Sequence, residues 1–204
     1  MDKIIKFFQD PSTWLTITSV AIALIALYQT HHQIKLSNKQ QLFERRLDTY
    51  LLIEELLNCY REEQETIQRV RASNVQTDEM LCIQFISFTS THSLGDISSC
   101  IYNDTEQSHN SFFSKLDMLD RLEQEVAFLF PKREAAPTQK FIHAYIKLLI
   151  TLFAYRNNIK FVPLPMDNKE RHFVILGLYY ALQEYDEEII RNKVEAKMAK
   201  SIHL

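Results

Sequence analysis

Residues 14–28 read WLTITSVAIALIALY, and this stretch decides how the rest of the chain is interpreted. No residue from Pro11 to Ile34 carries a formal charge when histidine is neutral. A helix over the 18 residues from Pro11 to Tyr28 is about 27 Å long, close to the thickness of the hydrocarbon core of a bilayer. Asp10 is suited to cap that helix, and Pro11 fits its first turn. The stretch therefore predicts a membrane-spanning helix.

The predicted membrane anchor has apolar side chains along its length and an aromatic residue at each end, where interfacial aromatics are expected. Three hydroxyl residues can return their hydroxyls to backbone carbonyls, so they are compatible with a membrane span and are candidates for contacts between membrane helices. The anchor residues are Trp14, Leu15, Ile17, Val20, Ile22, Leu24, Ile25, Leu27 and Tyr28, and the hydroxyl residues are Thr16, Thr18 and Ser19. A secretory signal peptide and a buried helix of a soluble protein are the alternatives.

Basic residues flanking the stretch predict its orientation. Lys3 and Lys6 precede it, whereas Lys35, Lys39, Arg45 and Arg46 follow it. Because the side richer in Lys and Arg stays in the cytoplasm, we expect the N-terminus outside and the C-terminal part in the cytoplasm. The three cysteines, Cys59, Cys82 and Cys100, show no paired spacing, as expected of reduced thiols in the cytoplasm.

Composition narrows the fold class. The 204 residues include only two glycines, Gly95 and Gly177, too few for the tight turns of a sheet protein of this size. The net charge of −3 indicates no nucleic-acid partner. We therefore expect an all-α chain, with residues 1–36 as anchor and polar juxtamembrane joint and residues 37–204 as a cytoplasmic bundle of about five helices.

The first helix after the joint is predicted over Ser37 to about Ala72. Its apolar positions follow a heptad pattern, widened by leucines into a broader face. Such a face fits either the core of the chain or a seam that contacts a second chain. The candidate seam residues are Phe43, Tyr50, Ile53, Leu57 and Tyr60.

The same helical periodicity, together with the prolines, predicts the later elements of the chain. Leu116, Leu119, Leu122, Val126 and Leu129 predict an amphipathic helix ended by Pro131, then a linker over 132–136 and a central core helix from Pro137. Met80–Thr89 fits a helix or a strand, and the flanking polar residues favour short helices. The prolines in 160–167 predict an extended connector. A last helix begins near Phe173 and runs on to Lys200, with Gly177 suited to close helix contact.

No motif with the spacing of a catalytic or metal site is present. The seven histidines lack ligand spacing, and His143, in the most apolar helix, is expected to be a core residue. Asp117 and Asp120 have a helical spacing that could hold a cation, although such pairs are typical of solvated helix faces. The sequence predicts no catalytic residue, metal or cofactor.

Two segments resemble a recurrent pattern in uncharacterised bacterial single-pass membrane-anchored proteins. Residues 42–50 read LFERRLDTY, similar to the F-[DE]-R-R-L-x-x-Y start of the helical domain in that group. Residues 125–131 read EVAFLFP and resemble its "FLF" helix end. The resemblance implies architecture alone, namely one N-terminal membrane helix followed by a cytoplasmic helical domain, which would place the anchor in a bacterial inner membrane.

These observations predict a non-enzymatic membrane protein. We expect the helical part to self-associate or to bind a protein partner, and the lipid bilayer to be the other partner. A membrane-acting effector of a stress or phage-defence system is one form of this expectation. The alternative is a membrane-anchored helical hydrolase or nuclease with a site assembled from scattered residues such as Asp117 and Asp120. No nucleic-acid or small-molecule ligand is expected.

Overall fold

The computed structural model describes residues 11–72, 97–102, 105–157 and 168–202, and every regular element in these ranges is a helix. Along the chain the helices are α1 Pro11–Ala72, α2 Ile97–Tyr102, α3 Glu106–Leu129, α4 Lys132–Arg156, α5 Asn168–Arg191 and α6 Val194–Ile202. The described ranges contain no strand. The all-helical class predicted from the glycine-poor composition is therefore confirmed for this part of the chain.

The chain divides into two compact units, Met1–Glu44 and Arg45–Leu204. The boundary lies eight residues after the expected one at 36 and 37. Helix α1 is continuous through 31–39, where the sequence suggests a polar joint. Residues 29–44 contain no glycine or proline and include several glutamines and lysines, which favour helix, so nothing in them interrupts the backbone hydrogen bonds.

The described part of the first unit is an exposed helix. Every residue in 14–44 is exposed. By length and composition, this N-terminal part of α1 is able to cross a membrane, and none of the apolar window that qualifies is buried inside the structure.

The second unit has one hydrophobic core to which α1–α6 all contribute. Helix α4 contacts α2, α3, α5 and α6 and is buried along most of its length, as its nearly continuous apolar pattern predicts. On α3, all five predicted core positions are buried: Leu116, Leu119, Leu122, Val126 and Leu129. Tyr60 of α1 packs edge-on against Phe141 of α4, with ring centroids 5.2 Å apart.

The corner between α3 and α4 is tighter than the sequence suggests. Helix α3 ends at Leu129, and α4 begins at Lys132 with Pro131 as its N-cap, so the expected linker over 132–136 is helical instead. Pro137 lies inside α4 rather than at its start. The amides of Glu134 and Ala135 bond to the Pro131 carbonyl at 3.0 and 2.9 Å, so the helix is already formed before Pro137.

The last helix is divided in two. Helix α5 ends at Arg191 and α6 starts at Val194. Lys193 between them has φ 52°, in the left-handed region. Its amide donates to the Ile190 carbonyl and that of Asn192 to the Glu188 carbonyl, both at 3.0 Å, so the turn satisfies carbonyls of the α5 end. The predicted single helix to Lys200 is wrong at this turn.

Several predictions lie outside the described residues. These are the roles of Lys3, Lys6, Gly95 and Cys82, the helix or strand over Met80–Thr89, and the extended connector over 160–167. Ile97–Tyr102 is a short helix, as the polar residues around it suggest.

Candidate functional site

The predicted membrane-anchor residues form a continuous exposed surface on α1. Their side chains are between 42% exposed, at Ile17, and 72% exposed, at Tyr28. The others in this set are Trp14, Leu15, Val20, Ile22, Leu24, Ile25 and Leu27. Burial of such side chains away from water is worth about 1.5–3 kcal/mol each, so this surface favours an apolar environment.

The hydroxyl residues of the same stretch bond within the helix. Thr18 Oγ1 donates to the Trp14 carbonyl at 2.6 Å and lies 3.1 Å from the Leu15 carbonyl oxygen. Ser19 Oγ donates to the Leu15 carbonyl at 2.7 Å. Thr16 also has an interaction partner. The Thr18 and Ser19 hydroxyls therefore need no partner helix to be satisfied in an apolar medium.

The candidate seam residues occupy two environments. Ile53, Leu57 and Tyr60 are buried in the core of their own chain, and Tyr50 packs against that core. This is the intramolecular packing that the heptad pattern also allows. Phe43 belongs to the first unit and is 37% exposed. Its contact with a second chain stays a prediction.

Arg46 joins the two segments that carry the resemblance. Its Nε donates to the carbonyl of Leu129 at 3.1 Å, and its Nη1 donates to the carbonyl of Ser201 at 2.9 Å. Leu129 is the last residue of α3, and Ser201 lies in the last turn of α6. Carbonyls at helix C-termini lack intrahelical partners and carry partial negative charge, so one guanidinium stabilises both ends.

A second bond links the same two segments. Thr49 Oγ1, on a residue only 2% exposed, donates to Glu125 Oε2 at 3.1 Å. The LFERRLDTY and EVAFLFP segments are thus in direct polar contact. In this chain, the two segments together form a structural junction of the second unit.

Arg61 is the centre of a second polar cluster. Its Nη2 lies 2.8 Å from Asp186 Oδ1 and 3.1 Å from Glu195 Oε2. Burial alone would lower the pKa of Arg61, but the hydrogen bonds and charges of Glu195 and Asp186 outweigh it and raise the pKa above its ordinary value. The guanidinium remains charged and ties α1 to both α5 and α6.

Two tyrosines lie near this cluster. The Tyr60 hydroxyl is buried and has no hydrogen-bond partner within the described residues. Burial, and then the charges of Asp186 and Glu187, raise the pKa of Tyr60 well above its usual value. Burial and the charge of Glu54 likewise raise the pKa of Tyr50. Both shifts favour the neutral phenol, so neither tyrosine is poised as a base near neutral pH.

The residues proposed for the alternative hydrolase are on the surface. Asp117 and Asp120 are exposed on α3, and Asp120 accepts a hydrogen bond from Gln124 at 2.9 Å. His143 is not the core residue expected, because its side chain is 55% exposed and its Nδ1 lies 3.4 Å from Glu123 Oε2. No group of three or more potential metal ligands occurs in the searched, described residues.

Sequence reasoning missed Arg46 and Arg61 as junction residues. Their partners lie 83 to 155 residues away along the chain, so no local pattern reports the contacts. The adjacent pair Arg45–Arg46 is the only local signal, and it does not say which arginine turns inward. Arg45 is exposed, whereas Arg46 is half-buried.

Comparisons with known proteins do not add a family. Neither a protein-family model, nor a curated protein, nor a solved structure matches the chain significantly.

Proposed function

We propose that the protein is a non-enzymatic, single-pass membrane protein whose helical second unit lies in the cytoplasm and either self-associates or binds a protein partner. The observation that carries the proposal is the exposed apolar surface of residues 14–28. A bilayer is the environment that matches both its length and its composition.

The alternatives for this stretch have less support. A core helix of a soluble protein would be buried, whereas none of this apolar window is buried in the structure. A signal peptide would carry a net positive segment before the apolar run, whereas Asp2 and Asp10 balance Lys3 and Lys6 here. A retained anchor is the better explanation of both observations.

The cytoplasmic location of the second unit is supported by charge and by thiols. More basic residues follow the apolar stretch than precede it. Cys59 and Cys100 are buried thiols, which suits a reducing compartment.

A binding role is consistent with the way the second unit uses its polar and apolar side chains, because the polar groups stabilise the fold and apolar side chains are left exposed. Arg46, Thr49 and Arg61 bond to backbone carbonyls or carboxylates that hold helices together. Several large apolar side chains are exposed on the same unit and offer contact surface to another protein. They are Leu51, Phe113, Phe128, Phe173, Tyr180 and Ile190.

Membrane fractionation followed by mass measurement tests this proposal. We expect the full-length protein to stay with membranes through alkaline carbonate extraction, and its release into the soluble fraction would overturn the proposal.

In mild detergent, a defined oligomer supports self-association, whereas a monomer supports the partner form. Comparison with a chain beginning at Ser37 shows whether residues 14–28 drive assembly. A triple variant, Thr16→Leu, Thr18→Leu and Ser19→Leu, tests the three hydroxyl residues, and an unchanged mass would remove them from the interface.

The proposal extends to an effector role in stress or phage defence. In this form, a partner bound to the second unit clusters the 14–28 helices, and the cluster perturbs the bilayer. Dye release from vesicles that contain the full-length protein, measured before and after chemically induced clustering of the second unit, tests the mechanism. Equal release in both states would contradict it.

A further inference from the structure

The first residues of α1 after the apolar stretch carry positive charge and no negative charge. From Pro11 to Phe43 the chain has no aspartate or glutamate, and its only lysines or arginines are Lys35 and Lys39. Both lysines are exposed. Within the described residues, neither forms an ion pair or a hydrogen bond through its side chain. Two cations are therefore available to an anion.

Three basic side chains lie on one face of α1. The helix is continuous from Pro11 to Ala72, so residues four positions apart are neighbours on its surface. His31, Lys35 and Lys39 have this spacing, and all three line the same open pocket on the helix. We call these three residues the basic face.

The first carboxylate that follows lies elsewhere on the helix. Glu44 is five positions after Lys39, which is about 140° around a helix of about 3.6 residues per turn. Glu44 also accepts a hydrogen bond from Gln40 Nε2 at 3.0 Å. The basic face therefore keeps its positive charge and is complementary to an anionic group.

Continuity of the helix sets the distance of the basic face from the apolar stretch. At about 1.5 Å per residue, His31 lies about 4.5 Å and Lys35 about 10.5 Å beyond Tyr28 along the helix axis. The headgroup region of one leaflet is about 5–7 Å thick. Side chains on a helix lean toward its N-terminus, so the long Lys35 side chain reaches back into this region. Lys39, one turn further along, lies within about one Debye length of it.

We propose that the basic face binds the headgroup of an anionic phospholipid, with Lys35 on the phosphate, His31 as a hydrogen-bond donor and Lys39 adding positive potential. The inference rests on the proposed membrane anchor, because the membrane helix itself carries the basic face to the bilayer surface. The phosphatidylcholine headgroup presents the same phosphate together with a quaternary ammonium group, which the lysines repel. The basic face therefore selects lipids with a net negative charge, such as phosphatidylglycerol.

A tryptophan in the apolar stretch reports which lipid lies next to the basic face. Trp14 is the only tryptophan, so full-length protein with Trp14→Phe and Tyr28→Trp carries one fluorophore, seven residues before Lys35 on the same side of the helix. The matched control is Trp14→Phe with Ala26→Trp, about 160° around the helix from position 28. Residues 26 and 28 are both exposed. Each protein is placed in nanodiscs of phosphatidylcholine and phosphatidylglycerol in which one lipid or the other carries brominated acyl chains, which quench tryptophan on contact.

The expected result is specific to one side of the helix. At position 28, brominated phosphatidylglycerol quenches more than brominated phosphatidylcholine does, whereas at position 26 the two lipids quench alike. Lys35→Gln lowers the preference for phosphatidylglycerol at position 28 by about fivefold, the effect of one cation near an anionic surface. The double variant Lys35→Gln with Gln33→Lys lowers it equally, although its net charge and its number of lysines are those of the wild type.

Other results overturn the inference. Equal quenching by the two lipids at position 28, or an equal preference at positions 26 and 28, removes the lipid site and leaves the membrane anchor intact. A preference at position 28 that persists when the lysine is moved to position 33 means that total charge, and not the basic face, recruits the lipid. Failure of the full-length protein to remain with the discs removes the anchor as well, and therefore overturns both proposals.

Discussion

Arg46 shows how one residue within a recurrent pattern stabilises distant parts of a fold. Its two hydrogen bonds reach carbonyls at the ends of α3 and α6. Lysine cannot reproduce this arrangement, because its single ammonium lacks the planar fork of a guanidinium. In this chain, Arg45 is exposed to solvent, whereas Arg46 holds helices together.

Replacement of Arg46 tests this role. We expect Arg46→Ala to lower the free energy of unfolding by about 2–3 kcal/mol, because two hydrogen bonds from a charged group are lost. Arg45→Ala, at the exposed neighbour, should change it by less than about 0.5 kcal/mol. Urea unfolding of the full-length protein in mild detergent measures both. Equal effects of the two substitutions would contradict the assignment.

The Arg61 cluster predicts unequal roles for its two carboxylates. The side chain of Asp186 is 6% exposed, whereas that of Glu195 is 27% exposed. We expect Asp186→Ala to cost about 2–3 kcal/mol, because it leaves a partly buried guanidinium with one partner fewer. Glu195→Ala should cost less than about 1 kcal/mol, since solvent screens that pair. The same urea measurement applies, and a larger loss for Glu195→Ala would refute the ranking.

Tyr60 predicts a pH dependence on the alkaline side. The raised pKa of Tyr60 means that the folded chain holds the phenolic proton more tightly than the unfolded chain does. Its contribution to stability is therefore complete below about pH 10 and is lost as the pH rises further. Tyr60→Phe should remove this part of the alkaline loss. At neutral pH it should leave stability unchanged or raise it by up to about 1 kcal/mol, since the hydroxyl has no partner within the described residues.

Stability measured from pH 7 to 11 checks this expectation. Tyr180→Phe is the control, because Tyr180 is 58% exposed. If wild type and Tyr60→Phe lose stability in parallel above pH 10, the desolvated phenol is not responsible.

Among the elements, α3 was the most predictable from sequence. Apolar residues at helical spacing define its buried face, and Pro131 marks its end to within two residues. The start of α4 was not predictable in the same way. Pro137 is a strong signal for a helix start, but Pro131 precedes it and takes the N-cap position, so the helix forms earlier.

The turn between α5 and α6 shows a different limit. Left-handed residues at helix ends are usually glycine, and a lysine there gives no signal in the sequence. The break at Asn192 and Lys193 is fixed instead by burial of Val194, Met198 and Ile202 in the core and by the Arg61–Glu195 contact.

Gly177 is the opposite case, because a glycine in a helix is a clear sequence signal and yet it did not predict the packing at this position. It was expected at a close helix contact, yet a Cβ there would meet nothing within 4 Å.

Lys193→Gly tests the turn. The left-handed backbone of a residue with a Cβ costs about 1–2 kcal/mol, part of which glycine loses again through its greater freedom in the unfolded chain. We therefore expect Lys193→Gly to raise the free energy of unfolding by about 0.5–1 kcal/mol. Lys193→Val should lower it. Destabilisation by glycine would mean that the lysine side chain contributes more than its backbone strain costs.

For the whole molecule, the apolar composition of residues 14–28 says more about the environment of the protein than any individual contact does. The sequence alone indicates a helix able to cross a membrane, and the structure adds that nothing within the described part of the chain covers it. The two polar junctions could not be foreseen, because they depend on which distant carbonyls and carboxylates the fold brings to Arg46 and Arg61. The proposed cytoplasmic location of the second unit rests on the orientation of this one helix.

Protease protection of a doubly tagged full-length protein tests the central claim most directly. One epitope tag precedes Met1 and another follows Leu204, and sealed inside-out vesicles of the inner membrane are treated with protease. We expect the C-terminal tag to be digested and the N-terminal tag to be protected until detergent is added. Digestion of both tags in intact vesicles would show that residues 14–28 do not cross the membrane, and would contradict the account.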